Sequence, residues 1–100
     1  MPKLNLSLIY LAQVKEILNQ NAHGFEVWAY GSRVDGRSHD ASDLDLVLRN
    51  PADLHQPIEN LSQLKQSFID SNLPFLVDVM DWACLPVSYR EEIKKRHIIV

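Results

Sequence analysis

A chain of 100 residues, 46% hydrophobic and 23% charged, has the make-up of one ordinary folded domain over residues 1–100, which excludes collagen-like, coiled-coil and wholly disordered classes. Ten basic against 13 acidic residues give a net charge of -3, so no general pull toward nucleic acid or anionic membrane is expected, and any phosphate must be held locally. The single cysteine, Cys84, excludes an internal disulfide and multi-cysteine zinc modules; its ordinary place is a small buried apolar site.

Leu4, Leu8, Leu11, Val14, Ile17 and Leu18 recur at helical spacing, with Ser7 as N-cap and the Asn21 to Gly24 stretch as the stop. Polar residues interrupt this first segment, and no run approaches the roughly 18 apolar residues of a membrane span, so neither signal peptide nor anchor is expected and the location reads as cytoplasmic. Phe25 to Tyr30 is rich in aromatic and branched residues and runs into Gly31-Ser32, a strand ending in a sharp turn. From Asp43 to Leu48 acids and aliphatics alternate, which puts Asp43, Asp45 and Val47 on one strand face and Leu44, Leu46 and Leu48 on the other. After a polar loop from Arg49 to Gln56, Pro57 opens a helix with Ile58, Leu61, Leu64, Phe68 and Ile69 along one face. Pro74 closes it, and Phe75 to Trp82 forms a third strand. Ser88 and Glu91 have capping-box spacing for a last helix running to about Arg96, followed by Ile98-Ile99-Val100 as an edge strand or partner contact. Trp28 and Trp82 are expected to pack the sheet. Alternating helix and strand periods predict an α/β layered domain.

The chemistry concentrates in GSRVDGRSHDASDLDLVL, residues 31–48. Gly31, without a Cβ, lets backbone approach a phosphate, and the adjoining N–H groups with the Ser32 hydroxyl can form an anion-binding concavity. Asp43 and Asp45 share a face, where two carboxylates repel one another unless a cation sits between them. Magnesium takes hard oxygen ligands, usually one or two carboxylates plus phosphate oxygens, and this pair supplies them. A third acid is needed. Asp78 and Asp81 are three positions apart and so face opposite ways on a regular strand; Asp78, deeper in the strand, is the choice, and Asp81 is assigned a structural or partner-facing place.

With the glycine-serine turn, the Asp-x-Asp of SDLDL and the later acid of VDVMDW in place, the chain resembles the minimal nucleotidyltransferases of the DNA polymerase β superfamily, over nearly its whole length. It is most similar to the small catalytic subunits encoded beside an all-helical protein, the antitoxins of MNT/HEPN toxin–antitoxin pairs. The resemblance implies a small mixed sheet backed by helices, two Mg2+ ions, and transfer of a nucleoside monophosphate, AMP from ATP, with release of pyrophosphate. Carried over by position, Gly31 and Ser32 match the phosphate-binding turn, Asp43 and Asp45 the metal ligands, and Asp78 the third acid and ligand. Arg33 and Arg37 are candidates to neutralise the leaving group. Asp35 departs from the family's basic or small residue; paired with either arginine, it would weaken nucleotide binding. The acceptor hydroxyl is expected on a HEPN-type helical partner, so the chain would work within a homo- or hetero-oligomer. Two other readings use the same chain: a partner-binding antitoxin or scaffold without turnover, and transfer to a small molecule with a helical substrate-binding subunit.

Overall fold

Strand periods of two on either side of the Gly31 turn produce a sheet whose two faces differ in chemistry. The computed structural model describes residues 4–39 and 41–100. In chain order the elements are α1 (Leu8–Asn21), β1 (Glu26–Tyr30), the short α2 (Ser32–Asp35), β2 (Leu44–Arg49), α3 (Leu61–Ile69), β3 (Val77–Asp81), a 3₁₀ turn (Trp82–Cys84), α4 (Val87–Lys95) and β4 (Ile98–Ile99). The four strands form one mixed sheet in the order β3-β2-β1-β4. β1 is antiparallel to β2 and to β4, whereas β2 and β3 run parallel through the α3 crossover. This is the mixed sheet backed by helices that the resemblance implies.

On one face Val27, Ala29, Leu44, Leu46, Leu48 and Val79 pack beneath α1 and α3, against Val14, Leu18, Leu64 and Phe68. The three β2 leucines are at most 1% exposed, each worth roughly 1.5–3 kcal/mol of burial, so this face anchors β2. The opposite face carries a smaller aromatic cluster of Trp28, Val47, Trp82, Leu85 and Ile93 beside α4. Trp28 meets Trp82 edge-on at 5.4 Å and stacks on His97 at 3.8 Å, while the Arg49 guanidinium lies 3.8 Å from the Trp28 ring centre. Both tryptophans thus pack the sheet, and the C-terminal Ile98-Ile99 pairs with β1 as an edge strand. Among the described residues no helix is long and apolar enough to cross a membrane.

Several local expectations need correction. Ser7 does cap α1, accepting from the Tyr10 N–H at 3.4 Å, but Leu8 lies exposed, and Val14 and Leu18 carry the buried stripe. The second long helix starts at Leu61 rather than Pro57, because the Ile58 N–H is taken by Asp81 Oδ2 at 2.9 Å while the Ile58 side chain still reaches the core. Ile69 is exposed. The last helix starts at Val87 behind Pro86, whose φ of -60° suits helix entry. Ser88 therefore sits inside the first turn, and the Ser88–Glu91 capping box does not form. Cys84 is exposed at the end of the 3₁₀ turn rather than buried, and the neighbouring Asp81 carboxylate pushes its thiol pKa up.

Candidate active site

The strand register writes the site across the sheet. Tyr30 of β1 pairs with Asp45 of β2, and Asp45 pairs with Asp78 of β3. Side chains in register on neighbouring strands share a face, about 4.8 Å apart in the backbone. Tyr30, Asp45 and Asp78 thus form one row on the face away from α1 and α3. The next row is Trp28, Val47 and Met80, so the polar row lies at the rim of the aromatic cluster. Asp43 precedes β2 by one residue and is exposed, as is Asp78; Asp45 is half-buried.

Asp81 goes to the other side. It is 7% exposed, accepts from the Ile58 and Ala83 N–H groups at 2.9 and 3.1 Å, and caps the 3₁₀ turn. Its place is structural, and Asp78 is the β3 acid set beside Asp45.

Burial, then the charges of Asp78 and Asp43, push the Asp45 pKa up to about 6. Those are the electrostatics of acids grouped with no cation between them. Among the described residues no three His, Cys, Asp or Glu side chains stand close enough, as placed, to share an ion. The backbone brings the three Asp residues together, but their carboxylates do not converge. Like charges with no cation between them favour such separation. The donors are all hard carboxylate oxygens, the chemistry that suits magnesium.

Gly31 closes the site from β1. Its φ of 79° lies in the left-handed region, and a Cβ there would collide with Asp45 Oδ2 and stand 3.2 Å from Asp45 Cγ. The glycine is therefore required twice, for the turn and for the carboxylate beside it. Its carbonyl accepts the Val34 and Asp35 N–H groups at 3.0 and 3.1 Å, which starts α2. Ser32 is the first residue of that helix, half-buried next to the turn. Gly31→Ala is expected to cost about 1–2 kcal/mol in stability from the backbone alone and to displace Asp45. Urea unfolding would check this, and a loss under about 0.5 kcal/mol would contradict the packing described.

The two arginines separate. Arg37 is 76% exposed and pairs with Asp35, its Nε at 2.9 Å and Nη2 at 2.6 Å both donating to the one oxygen Oδ2, which holds the Asp35 carboxyl below its usual range. It borders a cleft of about 420 Å³ that Tyr30, Gly31, Tyr89, Lys95 and Arg96 also line. Arg33 does not join them. It is 5% exposed, donates from Nε to Ser42 O at 3.0 Å and from Nη1 to Asn5 O at 2.8 Å, and lies 4.5 Å from the Phe75 ring centre. Its guanidinium is bound to backbone carbonyls and faces a different cleft, which Asn5, Tyr10 and Phe75 also line, rather than the one Arg37 borders.

Six residues of this cleft, Tyr30, Tyr89, Glu92, Ile93, Lys95 and Arg96, were not singled out by the sequence. Tyr30 is held protonated far above its usual range, first by burial and then by a hydrogen bond with Tyr89, and the two rings meet edge-on at 6.1 Å. Lys95 and Arg96, at the end of α4, reach the same cleft, where Lys95 Nζ pairs with Glu92 Oε1 at 3.0 Å. No local signal places α4 there, because its position depends on how the aromatic face packs.

The chain belongs to the nucleotidyltransferase domain family, which it matches over residues 11–100. It is a nucleotidyltransferase by family. Among individual proteins, it is 38% identical over 100 residues to the probable protein adenylyltransferase MntA of Haemophilus influenzae, covering 98% of this chain and 84% of that protein. The fold is also similar to that in a crystal structure of a toxin–antitoxin with AMP-PNP, at a TM-score of 0.69 and 19% identity, over 88% of this chain and 69% of that one. A mutant of the MntA-HpeT toxin–antitoxin gives a TM-score of 0.69 at 18% identity, over 90% and 70% of the two chains.

Proposed function

We propose that this chain transfers AMP from ATP, with magnesium, to a hydroxyl on a separate partner polypeptide, a helical HEPN-type protein, and that it acts as the antitoxin of such a pair. The observation that carries the reading is the register row of Asp45 and Asp78, with Asp43 two residues away, set against the Gly31 turn. The 38% identity to a probable protein adenylyltransferase supports the nucleotide and the class of acceptor.

Asp43 and Asp45 would hold the magnesium ions and Asp78 would complete the ligand set. Bound magnesium lowers the pKa of an attacking hydroxyl and offsets charge on departing pyrophosphate. The protein's own work is positioning. Gly31 and Ser32 keep the backbone turn open to the phosphate tail. The acceptor oxygen forms its bond to the α-phosphorus as the bond to the pyrophosphate oxygen breaks, and the hydroxyl proton passes to the Asp78 carboxylate. Arg96, with Arg37 and Lys95 once phosphate displaces their partners Asp35 and Glu92, would set positive charge beside the leaving group's exit. A binder without turnover gains nothing from grouping three acids at a spot where burial, and then their mutual charge, raises the Asp45 pKa, and this favours the enzyme.

The Asp35 carboxylate competes with phosphate for Arg37, so Asp35→Asn is expected to lower the KM for ATP by about threefold at low salt and less at high salt. An unchanged or raised KM would show that Arg37 does not meet the nucleotide. To test the function itself, the chain would be incubated with magnesium, α-labelled ATP and the protein encoded beside it. Label on a partner hydroxyl is expected; label confined to a small molecule would overturn the choice of acceptor.

A further inference from the structure

Across the sheet the proposed transfer centre has two unlike ends. β1 leads into the Gly31 turn and the cleft that Arg37 and Arg96 border, β2 carries Asp45 behind Asp43, and β3 carries Asp78. In phosphoryl transfer the attacking and leaving oxygens stand roughly in line, on opposite sides of the phosphorus. With the phosphate tail held at the β1 end, the acceptor hydroxyl has to arrive from the β3 end. The surface there is apolar. Leu44 is level with Val77, and its N–H donates to Leu76 O at 2.9 Å, so Leu76 stands beside Asp43, one step before the first pair of the parallel ladder. Leu73, Phe75 and Val77 pack against the core, whereas Leu76 shares the face of Asp78 and is 71% exposed. Asp43, Asp45, Asp78 and Leu76 thus form a block of four neighbouring positions on one face, three acids and one bare leucine. Asp43 and Leu76 also line a shallow cleft of about 370 Å³ with Pro74 and Phe75, and no basic side chain is among the described residues that line it.

We infer that Leu76 is the acceptor-binding contact of the transfer reaction: an uncharged, apolar part of the acceptor polypeptide packs on its side chain and sets the adjacent hydroxyl against Asp78. The identity of the occupant rests on the transfer reading above. The contact uses a side chain that is already in solvent and asks for no exposure of the buried Val79 or Asp81. Its chemistry selects the occupant. A nucleic-acid end would bring phosphates to a cleft that holds the Asp43 carboxylate and no cation of its own, and like charges repel. A second copy of this chain, with a net charge of -3, would set its own Asp43 and Asp78 against the same acids if the two Leu76 side chains met. A neutral apolar segment of a different polypeptide meets neither penalty, and covering Leu76 removes apolar surface from water beside the reacting atoms.

The test combines hydroxyl-radical footprinting with transfer kinetics on the intact chain, alone and mixed with the protein encoded beside it, in the presence of magnesium and labelled ATP. Oxidation of the Leu76 side chain is expected to slow by about fivefold or more as the interface closes over it. Leu76→Gln, which keeps the length of the side chain and adds no charge near Asp43, is expected to raise the acceptor KM by about tenfold while the KM for ATP stays the same. Leu76→Met is expected to return the acceptor KM to within about twofold of the parent value. An acceptor KM unmoved by Leu76→Gln overturns the inference, and so does a KM for ATP that rises in step with it, which would put Leu76 on the nucleotide side. Leu76 protected by the partner without label transfer would leave the docking standing and remove the transfer reading. Label transfer with Leu76 at its free rate would do the reverse, and the absence of both complex and label would overturn the two together.

Discussion

Replacing both Asp43 and Asp45 by Asn is expected to lower nucleotidyl transfer by about a thousandfold or more, and to make the chain more stable at neutral pH in the absence of divalent cations. The two effects share one cause. Asp45 has its pKa raised from 3.8 to about 6 by burial and by the charges of Asp78 and Asp43, so its ionised form is disfavoured in the fold. For a carboxyl with a raised folded-state pKa, the folded chain holds the proton more tightly than the unfolded one. Stability therefore falls as pH rises from about 4 to 6, and the penalty is complete above that. A shift of this size is roughly 3 kcal/mol, which solvent screening of a half-exposed group reduces to about 1 kcal/mol. The double variant should gain that amount at pH 7.5 with chelator present and nothing below pH 4, as read by urea unfolding at the two pH values. A variant less stable than the parent at pH 7.5 would show that these acids hold the fold together instead.

Arg33→Ala is the largest expected loss of stability, about 3 kcal/mol, or roughly 12–20 °C in Tm. Removing the guanidinium leaves the Ser42 and Asn5 carbonyls without their charged donor in a partly buried setting, and the contact with Phe75 goes with it. Ser42 leads directly into Asp43, so Arg33 is a positioning residue: it ties α2 to the start of β2 and fixes where the first acid stands. Arg33→Lys should recover only part of the stability, because one ammonium cannot match the planar fork that reaches both carbonyls. Thermal unfolding separates the cases, and an Arg33→Ala Tm within a few degrees of the parent would contradict the buried role. Transfer activity at a temperature where the Lys variant remains folded should fall through kcat, since Asp43 moves while the phosphate side is untouched.

The same residues show what a sequence discloses and what it withholds. The period of two in DLDLVL was enough to place β2 and to put Asp45 opposite the leucine face, because that signal is local and the helices cover only one side. The three-residue offset between Asp78 and Asp81 separated their faces for the same reason. Features that depend on pairing across the chain were not legible. Tyr30 becomes part of the polar row only through its register with Asp45, and Tyr89, Lys95 and Arg96 only through the packing of α4. Arg33 and Arg37 are four residues apart on one turn and look equivalent, yet one is buried against Phe75 and the other is solvent-exposed on Asp35. Helix starts were misplaced where tertiary bonds or a proline outcompeted a cap: Asp81 takes the Ile58 N–H, and Pro86 sets the entry ahead of Ser88.

The arrangement of Asp43, Asp45 and Asp78 around a polyphosphate is open to a direct measurement: binding of Mn2+, in place of magnesium, followed by its electron spin resonance in the presence of a non-hydrolysable ATP analogue. The parent chain should take up the ion with the analogue, and Asp45→Asn should lose it while the protein stays folded. Equal uptake by the parent and by the Asp43→Asn, Asp45→Asn double variant would contradict the account.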